Sequence, residues 1–495
     1  MKRFPVLFRC TVLLLTTAAV CLSFGACTRP SADPAETSDA FSSSVVSATT
    51  AARSTSADAV TEPHTDLNGY EFVWVKPQHN ATGRSNMAPD NDTALGIRLG
   101  EIYRAIEDDL HCTIEINQSI GTDLESLVTA SVGGLKYADA VCTRQFNWIP
   151  LAVMGGLRAL DSDEMLAAGL DLMNDNVFNQ VYTQMTRING KIWGFDMSGI
   201  FDNIALGHCY AFNKRLVETA GYPPSVIFDA VRNGTWTYDF FLTIARACVK
   251  DPGGDGLTYP VGDDIWGIAL DGDGNEIWTN GTGPIVLDAP SGKYMANVSS
   301  PQLIRAMEFM YQVNGSGDLM VPEAHGSVPK RGDRRAIFFD GHAAFAGLYG
   351  GNFNDSNTGT MEDDFGVVPF PKGPDADHYM LNMVDLDSSV ILTSNRDYEK
   401  TAVILNAIGA QVTDFEGYKS LVLESFRGCG DSLEMMFDYA FPHAIMNIAK
   451  CSSQMHDLMR KKFYSDIYTG NMTIAQAAEA YGGLIQAELD KVFRQ

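Results

Sequence analysis

The chain has 495 residues, of which 36 are Lys or Arg and 61 are Asp or Glu, giving a formal charge of −25. A nucleic-acid binder needs a basic face to displace counterions from phosphates, so this balance excludes that class. With 45% hydrophobic and 20% charged residues the composition is that of an ordinary globular protein, and the length exceeds what one compact core holds.

Lys2, Arg3 and Arg9 precede an apolar run from Thr11 to Phe24 that ends in Gly25, Ala26 and Cys27. A charged start, a short apolar stretch and small residues make a secretory signal. No second long apolar run follows, which argues against a polytopic membrane protein. A cysteine directly after the small residues resembles the lipobox of bacterial lipoproteins, with Phe24 where that pattern prefers Leu. The resemblance implies removal of residues 1–26 and lipidation of Cys27, which holds the chain at the extracellular face of the cytoplasmic membrane. Residues 28–66 are Ser, Thr, Ala, Asp, Glu and Pro almost throughout and lack apolar periodicity. With Cys27 they read as a disordered tether, 27–66, spanning roughly 35 Å r.m.s.. Residues 1–26 hold three basic and no acidic residues, so their removal takes the charge to −28.

The body opens with a strand over Tyr70–Lys76. A helix over Thr93–Leu110 follows, with Leu95, Leu99, Ile102, Ile106 and Leu110 at helical spacing. A strand at Cys112–Ile116, a helix started by the capping-box pair Thr122 and Glu125, and a strand at Ala138–Thr143 continue an alternation that predicts βαβ units and a largely parallel sheet. Ile188-Asn-Gly-Lys-Ile192 reads as a hairpin turn leading into Trp193–Met197. A strand at Leu206–Phe212 then precedes a helix capped by Thr237, and Ser300 with Pro301 starts another. Strands are expected at Ala343–Leu348, Phe365–Phe370 and Ser388–Thr393. The tail reads as helices over Tyr398–Ala410, from about Phe441, and from Thr473 with Gln476.

Nine cysteines are spread without any C-x-x-C pair, which excludes a zinc cluster or thioredoxin-type motif and leaves a Cys112–Cys142 bridge open. The histidines form no H-E-x-x-H, and neither G-x-S-x-G nor G-K-[ST] occurs. Two of the many carboxylates could converge as a glycosidase pair, which spacing along the chain cannot reveal. Asp251-Pro-Gly-Gly-Asp255-Gly256 matches part of a calcium loop, but Gly253 and Gly262 stand where oxygen ligands are needed, so an acidic turn is the plainer reading. Sugar sites use aromatic faces with polar rims. Trp74, Trp193 and Trp236 read as core, and Trp266 opens an apolar strand. Trp148 and Trp278 each follow polar residues just beyond a strand, where open α/β sheets bind ligands, and are candidate platforms.

Several segments, taken in order, resemble the extracellular solute-binding proteins of bacterial ABC importers, in particular the sugar-binding family that includes maltodextrin-binding protein. They are Ala138–Val141, Ile188–Gly194, Tyr210–Lys214, Trp236–Phe241, Trp278–Gly281, Ile337–Phe345 and Phe365–Phe370. The resemblance implies an α/β, two-lobed periplasmic-binding-protein-like fold of type II. Its lobes are expected at 67–196 plus 343–385 and at 197–342 plus 386–495, with crossings near Asp196, His342 and Asp385. It further implies a monomeric, non-catalytic receptor that needs no cofactor, binds a sugar between the lobes and hands it to an ABC permease. A secreted glycoside hydrolase and a carbohydrate-binding adhesin are the alternatives. Candidate ligand contacts are Asn80, Thr143, Arg144, Trp148, Tyr349 and Asn352 from the first lobe. Asp196, Asp202, Glu276, Trp278 and Asp385 come from the crossings and the second lobe. Few of these are basic, which favours a neutral mono- or oligosaccharide.

Overall fold

The computed structural model describes residues 65–77, 87–201, 206–322, 333–383 and 385–495. The signal, Cys27, nearly all of the tether, Asn80 and Asp202 lie outside the described residues. Among the described residues no helix is long and apolar enough to cross a membrane.

Two sheets organise the body. The first runs in the order Cys112–Asn117, Tyr70–Val75, Ala140–Thr143, Ser388–Val390, Gly194–Phe195. Its first three strands are parallel and its last two pair antiparallel. Phe72 and Trp74 alternate along the opening strand and are buried, meeting Leu99, Tyr103, Ile106 and Leu110 of the helix Ala94–Leu110. That helix starts where the sequence places it, with Thr93 Oγ1 accepting from the Gly96 N–H at 3.0 Å. The next helix, Leu124–Gly133, is capped by Asp123 and not by Thr122, since Asp123 Oδ1 accepts from Ser126 N–H at 3.0 Å. The hairpin at Asn189-Gly190 has φ of 51° and 77°, the paired positive angles of a tight turn that matches strand twist.

The second sheet runs Phe365–Val368, Cys209–Asn213, Ala343–Leu348, Trp266–Ala269. Cys209–Asn213 is buried along its whole length and Ala343–Leu348 over all but one residue, which is why both read as near-continuous apolar runs. Around them Tyr210, Trp236, Phe241, Phe309 and Phe345 form a continuous set of ring contacts. Each such buried ring contributes about 1.5–3 kcal/mol by burial.

This pairing corrects the expected lobes. Ala343–Leu348 and Phe365–Val368 hydrogen-bond to Cys209–Asn213, so most of 343–385 belongs with the second sheet and His342 marks no crossing. Ser388–Val390 joins the first sheet, and Tyr398–Val412 packs on Ala94–Leu110, so the start of 386–495 belongs with the first. Both sheets are mixed and not largely parallel. Alternation of apolar residues sets which face of a strand is buried but carries no information on its distant partner. Near Phe441 a short 3₁₀ turn and the strand Ala444–Ile445 replace the expected helix. The last helix, Ile474–Phe493, has the capping box Thr473 and Gln476 with both reciprocal bonds made.

Cys112 and Cys142 sit on strands separated by Tyr70–Val75, two spacings of about 4.8 Å apart, beyond the roughly 7 Å a disulfide can bridge. No disulfide joins the six described cysteines, and five of them are buried.

One buried carboxylate pins the first lobe together. Asp139, fully enclosed, accepts from Tyr70 Oη at 2.6 Å, Val73 N–H at 2.8 Å and Thr401 Oγ1 at 3.0 Å, and pairs with Lys136 at 3.1 Å. It thereby ties the opening strand to the helix Tyr398–Val412. Removing it strands several buried donors, so Asp139→Ala is expected to cost about 3 kcal/mol in urea unfolding, against about 1 kcal/mol for Thr401→Ala.

Candidate functional site

A cavity of about 330 Å³ collects residues from both sheets and from the C-terminal region. From the first sheet comes Arg144, the residue after Ala140–Thr143 and the N-cap of the helix Gln145–Val153. From the second come Asp271, Asp273 and Glu276 after Trp266–Ala269, Tyr349 after Ala343–Leu348, and His208 before Cys209–Asn213. Arg335, Phe370 and Asp385 complete this side, and Asn447, Lys450, His456, Arg460 and Tyr464 form the opposing wall. Most of the strand residues lie beyond carboxyl ends, the usual ligand position in open α/β sheets.

The charges are mostly matched in pairs. Arg335 Nε donates to Asp271 Oδ2 at 2.6 Å, Arg460 Nε to Asp273 Oδ1 at 2.9 Å, and Lys450 Nζ to Asp385 Oδ1 at 2.6 Å. Arg144 is exposed, 5.8 Å from the Phe146 ring, and makes no ion pair among the described residues. His208 stacks over Phe370 and meets Tyr349 edge-on, while the Arg335 guanidinium lies 5.5 Å from the Tyr349 ring. The basic residues around the cleft weaken the sequence argument for a neutral ligand, although three of the four cations are already neutralised by protein carboxylates.

Glu276 sits in the 3₁₀ turn Asn275–Trp278 and is 4% exposed, with Oε2 lacking a hydrogen-bond partner. Burial pushes its carboxyl up from the usual 4.5 to about 7; its own backbone N–H opposes this and nearby Asp273 adds to it. Gly274 makes this placement possible: it has φ of 67°, and a Cβ there would meet the Tyr464 ring at 2.7 Å.

Arg144, Glu276, Tyr349 and Asp385 of the sequence-predicted residues therefore line the cavity, and the other described ones do not. Thr143 Oγ1 donates to Thr122 O at 2.5 Å and accepts from Asn147 Nδ2, so its hydroxyl is occupied locally. Trp148 is fully buried and its Nε1 donates to Leu386 O at 2.8 Å, because the chain turns helical directly after Thr143 and carries the ring into the core. Trp278 is 5% exposed and packed against Gly283. Asp196 accepts from Ser198 Oγ at 3.0 Å, and Asn352 Oδ1 accepts from Tyr349 N–H at 3.0 Å as a turn cap. No tryptophan is among the residues lining the cavity. Asp251 turns both carboxylate oxygens to the N–H groups of Gly254 and Gly256, an acidic turn, and no cluster of metal-binding side chains that includes it or Asp255 occurs among the described residues. Asp271 and Asp273 obey the same strand-end rule that finds Arg144 and Tyr349; the wall from Asn447 to Tyr464 has no comparable signal.

Glu276 gives a ligand-free test. Its folded pKa lies above its unfolded one, so its contribution to stability is full below about pH 4.5 and lost as pH rises through about 7. Glu276→Gln is expected to melt with the wild type at pH 5 and a few degrees above it at pH 8, read by calorimetry.

No family model and no curated protein matches the chain. Solved structures match throughout the body. A cyclic alpha-maltosyl-1,6-maltose binding protein from Arthrobacter globiformis aligns at a TM-score of 0.56 and 14% identity, over 86% of this chain and 100% of its own. An ABC substrate-binding protein from Listeria monocytogenes, in complex with cycloalternan, aligns at 0.55 and 13%, over 86% and 99%. A Mycobacterium tuberculosis protein, UgpB, in complex with glycerophosphocholine, aligns at 0.53 and 15%, over 86% and 98%. The fold is accordingly the two-lobed, type II periplasmic-binding-protein fold.

Proposed function

We propose that the chain is a receptor that binds a sugar in the cleft between its two sheets and delivers it to an ABC permease, without making or breaking a covalent bond. The observation that carries this reading is the joint lining of one cavity by Arg144 from the first sheet and by Asp271, Glu276 and Tyr349 from the second. A ligand touching both sides makes its full contact set only when they close on it, and the closed form is the state a permease can distinguish from the empty one. Support comes also from the fold, shared with proteins whose ligands include cyclic oligosaccharides. In this reading the receptor works as a single copy on the outer face of the cytoplasmic membrane, held by lipid on Cys27 through the 27–66 tether.

The test is a thermal-shift panel of maltose, maltotetraose, cycloalternan, galacturonate and short peptides. A saturable rise with a saccharide and no turnover is expected. A rise with peptides alone, or steady release of reducing ends, overturns the reading. Because Arg144 lacks an internal carboxylate partner, its guanidinium is available to ligand oxygens, and Arg144→Ala is expected to weaken saccharide binding about tenfold or more in titration calorimetry.

A further inference from the structure

Glu276 is not alone in lacking a partner. Tyr464 also lines the cavity, and its buried hydroxyl makes no hydrogen bond; the hydroxyl of Tyr210, fully buried beside them, makes none either. Burial suppresses ionisation of both phenols, and the nearby Glu276 carboxyl suppresses it further. Buried polar groups are hydrogen-bonded as a rule; here Glu276 and Tyr464 bring two unpartnered oxygens to the cavity wall, with the Tyr210 hydroxyl buried behind them. A protonated carboxyl and two phenols each donate and accept. That is the pattern of a hydroxyl group, whereas an ammonium only donates and a carboxylate only accepts.

We infer that Glu276 and Tyr464, backed by buried Tyr210, form a proton-linked subsite in the cleft, where protonated Glu276 holds the hydroxyl-bearing end of a neutral saccharide that is released as Glu276 ionises. This rests on the sugar-receptor reading. Other groups facing Glu276 do not take over the linkage. On its own loop Asp273 is paired with Arg460, and Asp271 with Arg335. Across the cavity Asp385 is paired with Lys450, while Arg144 makes no ion pair among the described residues. The helix Pro301–Asn314 packs against the turn with Leu303, Met307 and other apolar residues; its Arg305 is bound to Asp375 and its Glu308 is exposed. Tyr238 gives its hydroxyl to Thr279. His456 is pushed below 6.5 by burial and by Lys450, so it is neutral above pH 7, and His208 is the remaining imidazole. The carboxyl of Glu276, by contrast, sits at about 7 because of its burial.

The experiment is titration calorimetry on the full chain in detergent, using whichever of maltose, maltotetraose or cycloalternan binds tightest, from pH 6 to 8.5. Wild type is expected to lose affinity about thirtyfold over that range, with proton uptake seen as a buffer-dependent heat. Glu276→Gln should lose less than threefold, and Tyr464→Phe should weaken binding about fivefold at pH 6 while keeping the wild-type slope. A flat wild-type profile overturns the inference but leaves the receptor standing. A slope that survives in Glu276→Gln moves the linkage to a histidine and overturns it too. Glucosamine binding that tightens through pH 7 in wild type alone replaces the polyol with an ammonium ligand. If no saccharide binds at any pH, the receptor reading falls and this subsite with it.

Discussion

The geometry of the cleft depends on how the segment after Asp385 is held as the chain passes from one sheet to the other. Leu386 O accepts from Trp148 Nε1 at 2.8 Å, Leu386 N–H donates to Gln145 Oε1 at 3.3 Å, and Tyr182 Oη donates to Asp387 O at 2.6 Å. Three side chains of the first lobe thus grip three backbone groups of a short segment that has no ladder of its own. Gln145 also donates to Asn447 O at 2.7 Å, so the same helix start fixes part of the C-terminal wall. Arg144 and Asp385 reach the cavity because their immediate neighbours in sequence are anchored in this way. A crossing built from backbone bonds to rigid side chains is stiff along its length and leaves rotation to the residues at its ends.

Electrostatics give the cleft two layers. At its rim, paired charges such as Arg335 with Asp271 and Lys450 with Asp385 cancel one another and orient each other's side chains. Arg335 and Asp271 are only 18% and 8% exposed, so desolvation, not solvent screening, offsets most of their attraction. Glu276 has no ion-pair partner among the described residues, and its burial favours the protonated carboxyl. The rim thus confers shape and register, while the floor supplies hydrogen bonds whose strength depends on protonation.

Local features were legible in the sequence wherever a short-range rule governs them. Thr93, Ser300 and Thr473 with Gln476 cap helices where the pattern put them, and Asn189-Gly190 forms its turn. Asp123 displaced Thr122 as a cap by one residue, a choice between two good oxygen acceptors that propensity alone does not resolve. Strand partnership is not legible: Ala343–Leu348 pairs outside its expected first lobe and Ser388–Val390 outside its expected second, since pairing is decided by contacts across more than a hundred residues. Of the residues the strand-end rule selects, Arg144 and Tyr349 line the cavity, while Trp148, four residues into its helix, is buried in the core. Arg460 and Tyr464 lie in a π-helical stretch of the tail, and nothing in their local sequence distinguishes them from other surface helix positions.

The thiols have a further consequence. Burial pushes Cys112 to about 11 and Cys248 and Cys451 to about 12, so almost none of any of them is thiolate at neutral pH, and thiolate is the form that oxidants and disulfides attack. Cys209 is raised further still by the same cause. These sulfurs act as small apolar fillers of the two cores. Among the described residues the two cores are therefore held together by packing and not by any disulfide, and these four thiols offer an oxidant almost no thiolate to attack.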